Sequence, residues 1–213
     1  MLVSRCTPGG YGFPSLNRLG LDKHLGFAIG DVSGKGVAAA MTVAATRSAL
    51  RFAARLDSAP SQVLYDVNRR LFRDVKKRSY VSLFYGILDL SRHTCRWTNG
   101  GHLPPLLIRK DGSHMELATV GVPVALFDTS YYSTGRVEIR PGDLIFCYTD
   151  GVTEALNANE EEFGRERLIG ALRTSAGLSA REMLRYVYSE LRKFTRGSRQ
   201  HDDIAAFVVK FDG

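Results

Sequence analysis

Three aspartates stand where an apolar run meets a glycine or a polar turn. Asp31 closes "HLGFAIGD", Asp150 closes "LIFCYTD", and Asp202 precedes "IAAFVV" with Asp203 beside it. Hard divalent cations such as Mg²⁺ and Mn²⁺ take oxygen-rich sites of this kind, completed by water and backbone carbonyls. Glycine close to Asp31 and Asp150 permits the backbone approach that carbonyl ligation needs. Each aspartate alone reads equally well as a helix or turn cap, and spacing does not show that the three converge. "GDVSGKG", residues 30–36, also suggests a phosphate-binding loop, but its spacing excludes one. A Walker A loop places four residues between its first Gly and the Gly-Lys pair and follows them with Ser or Thr; here three residues separate Gly30 from Gly34, and Gly36 follows Lys35.

Lys35 and His102 have the chemistry to touch a phosphate or move a proton, although a lysine in a glycine turn is ordinarily solvated and a histidine between Gly and Pro pairs ordinarily steadies a turn. Glu154 suits the first turn of a helix. Arg69, Arg70, Arg73, Lys76 and Lys77 make one basic helix face. It lacks the interleaved aromatics that base stacking needs, Phe72 excepted, so a solvated face is expected and no nucleic-acid partner.

The elements that must position these residues follow from period and punctuation. Residues 24–31 read as a buried strand. A helix follows, with Val37, Met41, Ala44, Ser48 and Phe52 on one face, and a second over about 61–77 has Leu64, Val67, Leu71 and Val75 inward. The middle of the chain becomes a meander of short strands in "YVSLFYGILDL", "TCRWTNG", "PPLLIRK" and "MELATV". Two more strands flank the turn "RPGD". Ser179 and Glu182 are spaced as a capping box for a last helix carrying Ala180, Met183, Val187, Leu191 and Phe194, and residues 204–211 close the chain as a strand. Strands and helices cluster separately, so the class is α+β.

At 213 residues the chain is sized for a single domain, 1–213. Its net charge of +7 suits acidic or phosphorylated partners. No apolar stretch approaches the roughly 18–20 residues of a membrane span, and no secretory signal is evident. Three scattered cysteines argue against a disulfide framework and for a reducing, cytoplasmic setting.

From about residue 20 onward the chain resembles the bacterial SpoIIE/RsbU-type branch of the PPM (PP2C-like) metal-dependent serine/threonine phosphatases. The resemblance rests on "LGFAIGDVSGKGVAAAM", "NGGHLPPLL", "PGDLIFCYTDGVTEALN" with "EEFGRERL", and "HDDIAAFVV", in family order. It implies a β-sandwich of two antiparallel sheets flanked by helices, with a two-metal Mn²⁺ or Mg²⁺ site. Asp31 would bridge both metals, the Val32 carbonyl would ligate one, and Asp150 and Asp202 would hold the other. Two such cations make hydroxide available near neutral pH and neutralise phosphoryl charge during in-line attack. The implied substrate is a phosphorylated anti-sigma-factor antagonist or similar phosphoprotein, with an upstream sensor domain or protein; the resemblance also admits a homodimer.

The N-terminus departs from the family pattern. Where "GGDYYD" or similar is expected, the chain reads "PGGYGFPSLNRLG", with only Asp22 nearby. Residues 1–20 therefore read as a divergent or truncated edge with an incomplete strand region, and the second metal site as weakened. A catalytically weak or inactive binding module in the same signalling pathway is the alternative that this departure favours.

Overall fold

A computed structural model describes residues 5–6, 13–18, 24–56, 59–75, 79–198 and 204–211; Asp22, Lys76, Lys77, Asp202 and Asp203 lie outside them. In chain order the described elements are β1 (Arg5–Cys6), β2 (Phe13–Arg18), β3 (His24–Val32), α1 (Val37–Leu56), α2 (Pro60–Val75), β4 (Val81–Asp89), β5 (Thr94–Gly100), β6 (Leu106–Ile108), β7 (His114–Glu116), β8 (Gly135–Glu138), β9 (Leu144–Tyr148), α3 (Gly164–Thr174), α4 (Ala180–Phe194) and β10 (Ala206–Lys210). A single 3₁₀ turn at Asp150–Val152 follows β9. The strands form two open antiparallel sheets, ordered β2-β3-β4-β5-β8 and β1-β10-β9-β6-β7. This is the expected α+β class. The N-terminal region supplies one edge strand to each sheet, β1 with two residues and β2 with six. Pro14 fits β2 because an edge strand can lack one ladder donor.

The chain divides into two units, neither of them continuous in sequence. One comprises 11–104 and 117–139, the other 1–10, 105–116 and 140–213. In the first, Ala28, Val32, Leu83, Tyr85 and Ile87 of the sheet form a buried cluster with Leu50, Ala53, Leu64, Val67 and Leu71 of α1 and α2. Phe27, Ile29 and Phe84, on the alternate face, are also buried. Burial on both faces explains why β3 and β4 read as continuous apolar runs rather than alternating ones.

α2 turns inward the stripe that its period predicts, with Val75 partly buried. In α1 the face of Val37, Met41 and Phe52 turns to solvent, with these residues 79%, 69% and 55% exposed, while Ala39, Thr42, Thr46, Ala49, Leu50 and Ala53 are buried. Both stripes have helical spacing. The one with smaller side chains lets the helix backbone approach its neighbours closely, and its buried threonines satisfy themselves on the helix: Thr42 donates to the Ala38 carbonyl (3.0 Å) and Thr46 to that of Thr42 (2.7 Å).

In the second unit, Leu106, Leu144, Phe146, Ala206 and Val208 pack with Leu168, Leu172, Met183, Val187 and Leu191 of α3 and α4. The capping box is present: the Glu182 N–H donates to Ser179 Oγ (3.3 Å) and the Ser179 N–H to Glu182 Oε2 (2.9 Å). The "RPGD" turn forms with Gly142 at φ 92°, a left-handed conformation suited to glycine. Asp143, 2% exposed, accepts the Arg140 N–H at 2.8 Å and pairs with Arg109. No helix among the described residues is long and apolar enough to cross a membrane. Cys95 and Cys147 are buried, and neither forms a disulfide among the described residues.

Two stability predictions follow from the buried carboxylates. Arg109→Ala strands the Asp143 charge and is expected to cost about 3 kcal/mol or more, whereas Arg109→Ala combined with Asp143→Asn recovers part of that loss in urea unfolding. Asp89, at the end of β4, is also buried. Burial raises its carboxyl pKa, but hydrogen bonds from Arg92 and Ser91 and the nearby His24 outweigh burial and hold it below the ordinary range. A depressed folded pKa gives stability that is fully present above the unfolded value, about 3.9, and is lost as pH falls through the folded one. Asp89→Asn should therefore be less stable than wild type at pH 7, with the gap closing in acid.

Candidate metal centre

Asp31 is the penultimate residue of β3. It is half-buried and pairs in register with Ser82 of β4, so both side chains project from the sheet face opposite α1 and α2. The next rung pairs Val32 with Val81. The N–H and C=O of Val81 are both engaged by Val124, at 2.9 and 2.8 Å. Val32 therefore occupies a non-hydrogen-bonded position, and its carbonyl turns away from β4. It points to the β2 side, where the described pairing ends at Phe13 with Gly30. A carboxylate and a carbonyl on consecutive residues at a strand end form an all-oxygen donor set that fits a hard cation.

The turn that follows is held by Ser33. Its N–H donates to the Tyr80 carbonyl (2.9 Å), its Oγ accepts the Tyr80 N–H (2.8 Å), and its carbonyl accepts from Ser79 Oγ (3.1 Å). Gly34 and Gly36 have φ 97° and 84°, so the glycines serve the left-handed backbone that leads into α1. Lys35 between them is exposed.

Sequence period does not reveal the support behind Asp31. His102, 7% exposed, places Nδ1 2.9 Å from Ser82 Oγ, beside the rung that carries Asp31. Asn99 brackets its backbone: Asn99 Nδ2 donates to the His102 carbonyl (2.8 Å) and Oδ1 accepts the His102 N–H (2.7 Å). The only sequence signal was "NGGH", where an Asn three residues before a His in a glycine turn can make this bracket.

Asp150 belongs to the other unit and opens the 3₁₀ turn after β9. Its Oδ1 accepts the Gly151 N–H at 2.9 Å, and its carbonyl accepts the N–H groups of Thr153 and Glu154, both at 2.8 Å. It makes no ion pair to a described residue. Thr149 ties this strand end to Ala205: its N–H donates to the Ala205 carbonyl (2.9 Å) and its Oγ1 accepts the Ala205 N–H (3.0 Å). Ala205 follows Asp202 by three residues in sequence, but Asp202 and Asp203 lie outside the described residues. The described residues thus set Asp31 and Val32 side by side, carry Asp150 in the second unit, and gather no cluster of three metal-ligating side chains.

The family model described as Stage II sporulation protein E (SpoIIE) matches residues 21–212. Protein IcfG of Synechocystis sp. is 31% identical over 216 residues, covering 88% of this chain and 34% of IcfG. Phosphoserine phosphatase RsbU of Bacillus subtilis is 28% identical over 189 residues, covering 87% of this chain and 55% of RsbU. The chain thus spans about a third to just over half the length of these curated relatives. Among solved structures, the SiaA-PP2C domain of Pseudomonas aeruginosa superposes with a TM-score of 0.86 at 19% identity, covering 99% of this chain and 86% of that one.

The Asn99 bracket generates a prediction of its own. Asn99→Ala leaves a buried N–H and C=O of His102 without their partner and is expected to cost about 2 kcal/mol in chemical denaturation. Asn99→Asp, which keeps the acceptor but sets a buried carboxylate oxygen against the His102 carbonyl, should not recover that loss.

Proposed function

The chain belongs to the SpoIIE family and is a PP2C-type phosphatase domain related to RsbU, and on that premise we propose that it hydrolyses phosphoserine or phosphothreonine on a regulatory protein. Asp31, the Val32 carbonyl, Asp150 and Asp202 hold Mn²⁺ or Mg²⁺. The observation that carries this reading is the end of β3, where a carboxylate and an outward-turned carbonyl stand on consecutive residues ahead of a fixed glycine turn.

Bound divalent cations supply Lewis acidity, which activates water and neutralises phosphoryl charge. The chain's own contribution is placement. Ser33 fixes the turn after Asp31, and the Ser82–His102 pair occupies the same face beside it. Thr149 secures the strand end that presents Asp150. The two units work as one phosphatase domain, a reading supported by a family match that runs through segments of both.

The substrate class rests on the relative named a phosphoserine phosphatase. A phosphorylated anti-sigma-factor antagonist in the cytoplasm, under the control of an upstream sensor, is the physiological form proposed. The missing "GGDYYD" acids make the two metal sites unequal, because ligand charge helps set hard-cation affinity. They also favour a second reading, a binding module of the same pathway with little or no turnover.

The test is a Mn²⁺ titration of p-nitrophenyl phosphate hydrolysis with calorimetric counting of bound metal. One tight ion and a second bound only at high concentration are expected, with turnover following the second. Asp31→Asn and Asp150→Asn should each lower turnover by two orders of magnitude or so. Metal binding without turnover at saturating Mn²⁺ selects the binding module, and unchanged metal affinity and rate in Asp150→Asn refutes the ligand assignment.

A further inference from the structure

An open groove runs along the outer side of α2, with the loop at 126–132 as its second wall. Two adjoining depressions share Tyr65 and Thr129; Tyr131 lines one, and Arg69, Phe72 and Arg73 line the other. The loop wall is fixed rather than loose. Asn68 of α2 is fully buried; its Nδ2 donates to the carbonyls of Phe127 (3.0 Å) and Asp128 (3.1 Å), and its Oδ1 accepts the Ala125 N–H (2.8 Å). Ala125 holds φ 66°, a left-handed conformation uncommon for a residue with a Cβ. A fixed wall lowers the ordering cost of binding.

The chemistry of the groove is one-sided. Arg69 and Arg73 are exposed on successive turns, and neither makes an ion pair to a described residue. The Arg69 guanidinium lies over the Tyr65 ring at 5.9 Å, which keeps its charge at the groove. Tyr131 is 76% exposed at the rim. Asp128 is the one carboxylate among the lining residues. Arginine and tyrosine are among the residue types enriched where binding energy concentrates.

Geometry selects the shape of the occupant. Residues four apart on a helix are displaced about 6 Å along its axis, and alternate side chains of an extended peptide are about 7 Å apart on one face. Acidic residues at alternate positions of an extended segment therefore meet Arg69 and Arg73 together.

We infer that this groove docks an extended acidic segment of the phosphoprotein substrate. The inference rests on the phosphatase reading for the identity of the partner, but its binding step needs neither metal nor turnover. The test is fluorescence anisotropy of the full chain, without added metal, with a labelled peptide of alternating glutamates and its alternating-lysine counterpart. Wild type should bind the glutamate peptide and not the lysine one. Arg69→Ala with Arg73→Ala should weaken binding about tenfold or more, and Arg69→Glu with Arg73→Glu should transfer preference to the lysine peptide. In turnover, the alanine pair should raise KM for an acid-flanked phosphopeptide while leaving kcat and p-nitrophenyl phosphate hydrolysis unchanged. Equal glutamate-peptide binding by wild type and both variants overturns the inference, as does a DNA oligonucleotide of matched charge binding as tightly as the peptide. Peptide binding that obeys these expectations without any phosphatase activity refutes the enzymatic reading and leaves the docking groove standing.

Discussion

A carboxylate cannot stand in the middle of a strand buried on both faces. Removing an ionised group from water costs several kcal/mol unless charges and hydrogen bonds replace the lost solvent, and the strands β3, β4 and β9 are buried almost throughout. Their acids are accordingly driven to the ends: Asp31 is next to last in β3, Asp89 closes β4, Asp143 precedes β9 and Asp150 follows it shortly after. The same pressure sorts these four by role. Asp89 and Asp143 are enclosed by arginine and backbone N–H donors and lock turns. Among the described residues Asp150 makes only a local backbone contact through its carboxylate, and it stays half-exposed. Asp31 sits beside an outward-turned carbonyl on a turn fixed by Ser33. Asp89 and Asp143 thus serve the fold, while Asp31 and Asp150 are the two assigned to the proposed cation site.

That sorting bears on how much was legible in the sequence. Strand ends marked by Asp and Gly were readable because a buried strand shows as an unbroken apolar run with a sharp polar stop. The capping box at Ser179 and Glu182 was readable because it is local. The buried face of α1 was not. Two stripes share its period, and only packing distance decides that the alanines and threonines go inward while Val37, Met41 and Phe52 stay out. α3 was missed as well: it starts at Gly164 in the left-handed region, without a side-chain cap, in a stretch dense with charge. The Ser82–His102 pair and the hold of Asn68 on the 125–128 backbone join residues 20 and nearly 60 apart in the chain, which no periodicity encodes.

The polar side-chain contacts that hold loops have a common effect. Ser33 binds 79–80, Asn99 binds 102, Asn68 binds 125–128 and Thr149 binds 205, so each loop near a candidate acid or the α2 groove is held by a buried or half-buried side chain. Binding groups held on rigid elements lose little entropy when a ligand arrives. On the proposed readings, this rigidity would favour both cation binding at the strand ends and peptide binding in the α2 groove.

The central claim is that the strand-end acids form cation-binding groups of a single phosphatase domain. Thermal unfolding with and without Mn²⁺ tests it most directly, since an ion that binds only the folded chain stabilises it by about 2.7 kcal/mol at one hundred times its Kd. Wild type should show a Mn²⁺-dependent rise in Tm, and Asp31→Asn and Asp150→Asn should each remove most of it, while Asp89→Asn, whatever its baseline stability, should retain the full increment. A Mn²⁺ increment that survives in both Asp31→Asn and Asp150→Asn would contradict the account.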